Sequence, residues 1–283
     1  MIIWIASYPK SGNTWVRSFL STYIYAEKNS SVFKNIKKII NFPNISHFKG
    51  IFEINKFTQE EQKDKKKKDK KKFEISKYWI AAQKKINLSN EITFLKTHNF
   101  GGSLEGNEFT NSENTSAVIY IVRDPRSVAV SNAYHNSISY DQSISDLFDE
   151  KIFSTNEGNL LEFRSSWKVN YLSWKRRSCP RLIIRYEDLI SDQYQYFKKI
   201  LNFINDFKKI NIDELKIKET IELCKLENLS KLEDQVGFEE KLKKEKKFFR
   251  KGLVDEWKSQ LNKDQIKKIE NAFFEEMREL KYL

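Results

Sequence analysis

The first group of residues that could do chemistry lies between residues 8 and 15, which read YPKSGNTW. Lys10 supplies a positive charge, Ser11 and Thr14 supply hydroxyl groups, and Gly12 permits a tight turn. An apolar run precedes the segment and a helical pattern follows it, so backbone N–H groups at a helix start would point at this turn. The lysine precedes the Ser-Gly pair, unlike the order in a Walker A loop. The segment predicts an anion site, and an ordinary turn in which Thr14 caps the helix is the alternative.

Two later segments also place cations where an anion could bind. Arg123 follows the apolar run AVIYIV and precedes a proline that can open a helix, and Ser131 lies eight residues further on. An arginine at a strand end can donate a fork of hydrogen bonds to a phosphate, whereas the alternative is a local ion pair with Asp124. Residues 250–252 (Arg-Lys-Gly) add two cations and a flexible backbone. Two anion sites at strand ends favour a ligand with two phosphate groups.

A histidine at the end of a predicted strand is the candidate base. The chain has three histidines, and His98 follows Lys96 and Thr97 where a strand pattern ends. Ligands of α/β folds bind at the edge formed by the carboxyl ends of parallel strands. The pKa range of histidine suits proton transfer near neutral pH. A hydrogen-bonded structural histidine is the alternative interpretation of His98.

The elements that must position these residues follow an alternating pattern of strands and helices. Short apolar runs rich in β-formers predict strands over Ile2–Ser7, Ile92–Lys96, Ala117–Val122 and Leu182–Arg185. Helical spacing predicts helices over Thr14–Ala26, Pro125–Asn136, Asn159–Arg176, Ser191–Phe207 and Asp264–Leu280. This order predicts an α/β fold, a single domain over residues 1–283 with a central parallel sheet flanked by helices and a P-loop-like phosphate-binding turn after the first strand. Residues 30–90 have poor periodicity and are interpreted as an insertion that caps the sheet.

Composition excludes several classes of protein. Of the 283 residues 39% are hydrophobic, including 21 Phe, 12 Tyr and 6 Trp, which excludes a chain that is disordered throughout. Two cysteines without a CxxC pattern give neither a disulfide scaffold nor a zinc signature. No apolar run reaches the ~20 residues of a membrane span. The start of the chain lacks a secretory pattern, so a cytoplasmic location is expected.

The net charge of +12 is unevenly distributed. The segment Lys63–Lys72 reads KDKKKKDKKK and carries +6 from eight lysines and two aspartates. Such a run repels itself and has nothing to bury, so residues 61–72 are interpreted as a lysine-rich flexible insertion within the domain. An arm for nucleic acid or anionic lipid is the alternative. We favour the insertion because no aromatic residue is interleaved as a stacking platform.

These motifs together resemble the sulfotransferase family that uses 3′-phosphoadenosine-5′-phosphosulfate (PAPS), in its soluble, cytosolic-type branch. The family's YPKSGxxW, KTH, RxxxxxxxS, YEDL and RKGxxGDWK motifs have counterparts here in the same order. The resemblance implies that the catalytic residues are His98, Lys10 and Lys96. It also implies that the donor is bound by Lys10, Ser11, Gly12, Asn13, Thr14, Trp15, Arg123, Ser131, Tyr186, Arg250, Lys251 and Gly252.

The chain departs from the family's pattern in several places. Asp255 and Glu256 replace the Gly-Asp of the last motif, so this turn is expected to differ. Asn170 stands where a family helix often carries a histidine, which affects the expected acceptor pocket. Residues 262–263 (Asn-Lys) replace the Thr-Val of the family's dimerisation motif, and Leu226 stands where an aromatic residue is frequent. The oligomeric state therefore stays open.

The resemblance implies transfer of a sulfuryl group from PAPS to an acceptor hydroxyl or amine, by in-line displacement with His98 as the base. Lysines and backbone N–H groups would supply the positive charge that Mg²⁺ supplies in kinases, so no metal is expected. The first alternative is a P-loop-like nucleotide kinase or hydrolase. The second, which we favour less, is a basic nucleic-acid-binding protein. The acceptor stays open as a small molecule, a lipid or a saccharide, with no specific nucleic-acid partner.

Overall fold

A computed structural model of the chain describes residues 1–52, 73–89, 91–151, 162–242 and 247–283. The lysine-rich insertion expected at residues 61–72 lies outside the described residues. The chain divides into two compact units. The first comprises residues 1–8, 40–120 and 150–182, and the second comprises residues 9–39, 121–149 and 183–283.

The strands are numbered along the chain as β1 (Ile2–Ser7), β2 (Ile40–Asn41), β3 (Thr93–Thr97), β4 (Ser103–Leu104), β5 (Asn107–Glu108), β6 (Thr115–Val122) and β7 (Arg181–Arg185). Five of them form the central sheet in the order β2-β3-β1-β6-β7, and β4 and β5 form a separate antiparallel pair. β3 pairs in parallel with β1 and with β2. Every residue of β1 is buried, as expected for a parallel strand that is covered on both faces.

The helices are numbered along the chain as α1 (Asn13–Tyr25), α2 (Val32–Asn35), α3 (Trp79–Ile86), α4 (Pro125–Asn136), α5 (Tyr140–Phe148), α6 (Trp167–Lys175), α7 (Tyr186–Ser191), α8 (Gln193–Asn205), α9 (Glu214–Leu223), α10 (Leu226–Val236), α11 (Trp257–Gln260), α12 (Lys263–Ala272) and α13 (Phe274–Glu279). With the sheet, they confirm the predicted α/β fold in which helices flank a central parallel sheet. No helix in the described ranges is long and apolar enough to cross a membrane.

Aromatic packing in the first unit fixes β1, the strand that leads into the anion-binding turn. The Trp4 ring lies 5.2 Å from that of Phe109 and 6.1 Å from that of Trp174, measured between centroids. Its indole N–H donates to Thr115 Oγ1 at 2.9 Å, so the one polar atom of this buried ring has a partner. The contacts of Trp4, which is itself a residue of β1, therefore fix the position of this strand.

Two predicted helices are wrong in extent. The helix predicted over Asn159–Arg176 begins only at Trp167, because Ser166 caps it by accepting from the Val169 N–H. Just before the cap, the carbonyl of Phe163 accepts from the N–H of Phe100 at 2.9 Å, a long-range bond incompatible with a helix there. The first three residues of the predicted helix, 159–161, lie outside the described residues.

The helix predicted over Asp264–Leu280 is broken at Phe273. The backbone there has φ −119° and ψ 23°, outside helical geometry, and the helices α12 and α13 end and begin on either side of it. The Phe273 ring is buried 5.2 Å from that of Phe148, so packing of this side chain accompanies the break. The stretch interpreted as an insertion over residues 30–90 also contributes an edge strand, β2, to the sheet.

Candidate functional site

The turn at the start of the second unit has the geometry of an anion cradle. Lys10 and Gly12 both adopt left-handed backbone conformations, with φ of 67° and 95°. Helix α1 begins at Asn13 with no side-chain cap and no acidic residue in its first turn. Ser11 is fully buried, and its hydroxyl oxygen has no hydrogen-bond partner in the described ranges. Since a buried hydroxyl normally has a partner, this residue fits a bound anion at the positive end of a helix.

Gly12 is required by the close approach of Tyr186. A Cβ atom at position 12 would lie 2.5 Å from Cδ2 of the Tyr186 ring, closer than any ordinary contact. The Trp15 ring meets the same tyrosine edge-on, with centroids 6.0 Å apart. The Trp15 indole N–H donates to the Cys224 carbonyl at 3.0 Å. Trp15 and Tyr186, two of the residues expected to bind the donor, therefore lie beside the cradle.

Arg123 links this turn to the loop at residues 250–254. Its Nη1 donates to the Lys10 carbonyl at 3.0 Å and its Nη2 to the Leu253 carbonyl at 2.8 Å. The guanidinium lies 4.4 Å from the centroid of the Tyr186 ring and is almost fully buried. The alternative interpretation, an ion pair with Asp124, does not hold because Asp124 pairs with Arg126 at 2.6 Å. Arg123 thus joins two of the predicted anion-binding segments.

The loop that follows Arg250 is held through three consecutive carbonyl oxygens. The Gly252 carbonyl accepts from the Tyr186 hydroxyl at 2.9 Å, the Leu253 carbonyl from Arg123, and the Val254 carbonyl from the Ser127 hydroxyl at 2.5 Å. Burial raises the pKa of Tyr186, which keeps its hydroxyl protonated as a donor. The loop therefore has a fixed position beside the end of β6, although its sequence is rich in charge.

Arg250 and Lys251 share one carboxylate within the same loop. Arg250 holds Glu256 with both terminal nitrogens, one of them at 2.6 Å, and Lys251 Nζ lies 3.2 Å from the same carboxylate. The hydrogen bond from Arg250 lowers the pKa of Glu256. The Arg250 guanidinium stacks 4.0 Å from the centroid of the Tyr134 ring. Ser131 lies three residues before Tyr134 in α4, so both occupy the same face of that helix.

In the first unit, His98 is fixed through one ring nitrogen. Nδ1 lies 2.8 Å from the backbone carbonyl of Ser7 and 3.1 Å from the Ser7 hydroxyl. A carbonyl oxygen can only accept, so Nδ1 carries the proton and Nε2 carries the lone pair. This is the tautomer that can accept a proton through Nε2.

Sequence reasoning missed the role of Glu162. Its carboxylate is almost fully buried and accepts from the His98 N–H at 2.6 Å and from Lys96 Nζ at 3.3 Å. Asn170, noted as a departure, donates to the His98 carbonyl at 3.0 Å and accepts from the Tyr120 hydroxyl at 2.8 Å. The signal in the sequence was a lone glutamate inside a predicted helix, which does not indicate a partner.

The two units divide the predicted site residues between them. The residues from Lys10 to Trp15, with Arg123, Ser131, Tyr186 and residues 250–252, belong to the second unit, and Lys96 and His98 belong to the first. Lys10 Nζ lies 4.6 Å from the centroid of the Phe248 ring, a cation–π contact within the second unit. In the part of the chain that the structure describes, no cluster of His, Cys, Asp or Glu could hold a metal ion.

Comparison with known proteins identifies relatives over nearly the whole chain. A family model described as a sulfotransferase domain matches residues 2–281. Cytosolic sulfotransferase 5 of Arabidopsis thaliana is 26% identical over 285 residues, which cover 96% of this chain and 78% of the relative. Luciferin sulfotransferase of Photinus pyralis is 24% identical over 280 residues, which cover 94% of this chain and 69% of the relative.

Solved structures share the fold. A mouse sulfotransferase complexed with PAP superposes with a TM-score of 0.60 at 18% identity, covering 98% of this chain and 84% of the other. Retinol dehydratase in complex with androsterone and the inactive cofactor PAP superposes with a TM-score of 0.58 at 18% identity, covering 98% and 80%. The arrangement of strands and helices described above is the fold of these proteins.

Proposed function

The chain belongs to the sulfotransferase family, and from that membership we propose that it moves a sulfuryl group from PAPS to a hydroxyl or amine of a small-molecule acceptor. The observation that carries the proposal is the bridge made by Arg123, which hydrogen-bonds both the Lys10 turn and the loop at residues 250–254. PAPS carries phosphate groups at the 3′ and 5′ positions of its ribose, so its binding needs two cationic segments close together. The bridge made by Arg123 supports such a pair of segments.

We assign the two ends of the donor to these two segments. Ser11 and the N–H groups at the start of α1 would bind the 5′-phosphosulfate, with Lys10 balancing the charge of the leaving phosphate. Arg250, Lys251 and Ser131 would bind the 3′-phosphate, with Trp15 and Tyr186 against the adenine. PAP in the solved structures of two relatives supports this choice of nucleotide.

The proposed chemistry is an in-line displacement at sulfur. His98 Nε2 takes the acceptor proton as the acceptor oxygen or nitrogen forms its bond to sulfur. The bond between sulfur and the 5′-phosphate oxygen breaks. Its electron pair stays on that oxygen, which leaves as part of 3′-phosphoadenosine-5′-phosphate (PAP). Lys10 and Lys96 stabilise the charge that develops, so the reaction resembles phosphoryl transfer in depending on position and electrostatics.

The class of acceptor and the location are part of the proposal. Retinol dehydratase was solved once with androsterone and once with retinol, and both complexes favour a small-molecule acceptor over a saccharide polymer. The names of the plant relatives favour a cytoplasmic location. The proposed reaction needs no metal, so a chelator should not abolish it.

Thermal unfolding with nucleotides tests the donor before any acceptor is known. PAP should raise the unfolding midpoint without Mg²⁺, since a ligand that binds only the folded state stabilises it by about 2.7 kcal/mol at a hundredfold excess over Kd. AMP should raise it less, because it lacks the 3′-phosphate. A rise with ATP and Mg²⁺ but none with PAP would favour the kinase alternative.

A matched pair of glycine variants links that shift to the cradle. Gly12→Ala should lose the effect of PAP, because the new Cβ would displace Tyr186. Gly106→Ala is the control, since Gly106 also has a positive φ of 83° but nothing lies within 4 Å of an added Cβ. Both variants carry the backbone cost of about 1 kcal/mol for a left-handed alanine. Equal PAP shifts in the two variants would contradict the assignment.

A further inference from the structure

Glu256 forms ion pairs with Arg250 and Lys251, the two cations to which the proposed function assigns the 3′-phosphate of the donor. The side chains of Arg250 and Glu256 are 28% and 9% exposed, so their ion pair is largely shielded from water. Lys251, more exposed, adds a second cation to the same carboxylate. Glu256 thus accepts hydrogen bonds from both members of the basic pair at residues 250–251.

A carboxylate and a phosphate compete for the same feature of an arginine. A guanidinium edge that presents two parallel N–H groups fits either anion, in the same plane and at similar distances. In Arg250 the edge formed by Nη1 and Nη2 is used by Glu256. A phosphate that binds through this edge must therefore displace the carboxylate.

The surroundings keep Arg250 in place when its partner changes. The ring of Tyr134 supports one face of the guanidinium at 4.0 Å. The loop behind it is held by the bonds to the carbonyls of Gly252, Leu253 and Val254, none of which involves Glu256. Removing the charge of Glu256 should consequently leave Arg250 and Lys251 in place, with their positive charges no longer balanced by this carboxylate.

We propose that Glu256 competes with the 3′-phosphate of the nucleotide for Arg250 and Lys251, and so sets the affinity of the protein for 3′-phosphorylated nucleotides. This inference rests on the proposed function. The competition lowers the affinity for substrate and product nucleotides alike, because both carry the 3′-phosphate. It leaves nucleotides that lack this group unaffected.

The test measures the affinities of PAP and AMP by calorimetry for the wild type and two variants. Glu256→Gln keeps the shape of the side chain and removes its charge, and we expect PAP to bind about tenfold more tightly and AMP within about twofold. Asp255→Asn is the control, because it makes the same change in net charge one residue away, at an exposed carboxylate that pairs with Lys258. This variant should bind PAP like the wild type.

A second pair of measurements keeps the test decisive. The PAP affinity of Glu256→Gln should fall more steeply with salt than that of the wild type, since two uncompensated cations then face the phosphate. Arg250→Gln added to Glu256→Gln should remove the gain. If Glu256→Gln fails to fold, Glu256→Asp, which keeps the charge on a shorter side chain, should bind PAP more tightly than the wild type does.

The outcomes separate this inference from the function beneath it. A wild type that binds PAP, with Glu256→Gln binding it no more tightly than Asp255→Asn does, would overturn the competition alone. A gain in Glu256→Gln that is equal for PAP and AMP would also overturn it, because it would not depend on the 3′-phosphate. A wild type that does not bind PAP would overturn the proposed function and, with it, this inference.

Discussion

His98 shows how one hydrogen bond selects the chemistry of a side chain. Because the Ser7 carbonyl accepts from Nδ1 at 2.8 Å, the ring presents its lone pair at Nε2. The backbone of the same residue is held on both sides, its N–H by Glu162 and its carbonyl by Asn170. A base held at this many points loses little entropy when it reacts, which favours proton transfer.

We expect His98→Ala to lower turnover by about 10²- to 10⁴-fold, the range for loss of a general base. The affinity for PAP should stay near that of the wild type, since the residues assigned to the nucleotide lie elsewhere in the sequence. Turnover is measured with PAPS and the best acceptor from a screen of phenols, alcohols and amines. Ser7→Ala is the control, because it removes the hydroxyl contact at 3.1 Å and keeps the carbonyl. Near-normal turnover of His98→Ala would exclude it as the base.

At the scale of elements, the strands were predictable and the long helices only in part. The apolar runs at Ile2–Ser7 and Ala117–Val122 match β1 and most of β6, because buried parallel strands are apolar on both faces. Helix ends depend on contacts far along the chain, which periodicity does not contain. Phe163 shows this, since it fits a helical face in sequence but pairs with Phe100 in the fold.

A short 3₁₀ turn after β2 contains a histidine whose protonation should destabilise the fold. In the turn Ile45–Phe48 the N–H of Asn44 donates to Nδ1 of His47 at 3.1 Å, completing a capping box. Burial lowers the pKa of His47 to about 4, from the ordinary 6.5. The unfolded chain therefore takes up this proton at a higher pH than the folded chain. The stability that neutral His47 provides is present above pH 6.5 and is lost as the pH falls through about 4.

We expect His47→Gln to reduce the pH dependence of stability in that window. Glutamine at the third position of a capping box can accept from the same N–H, and it does not titrate. The unfolding midpoint of the wild type should fall relative to that of His47→Gln between pH 6.5 and 4. At pH 7.5 and above, the difference between the two proteins should not change with pH. A constant difference across the whole range would show that His47 titrates alike in the folded and unfolded chains.

For the molecule as a whole, the candidate site was predictable where its residues are neighbours in sequence. The turn at residues 10–15 and the basic pair at 250–251 are short motifs, so their chemistry can be read directly. The contacts that organise them join residues over a hundred positions apart, such as Arg123 with Lys10 and with Leu253. Glu162 and Glu256 were not predictable as partners for a different reason, since a charged side chain in a sequence rich in charge has many possible counterparts.

The distribution of charge over the whole chain leads to a last prediction. Lys63–Lys72 carries half of the net charge of +12, yet none of the residues assigned to the donor lies in it. Replacing its eight lysines with glutamine keeps the length and should change the affinity for PAP by less than about twofold, because no residue assigned to the donor changes and long-range charge effects are screened at physiological salt. Retention on DNA-cellulose should weaken instead, since nonspecific binding scales with the number of cations. The two affinities are measured on the same preparations. A large loss of PAP affinity would mean that the lysine run contributes to the nucleotide site, and the assignment of the donor to residues 10–15 and 250–252 would then be incomplete.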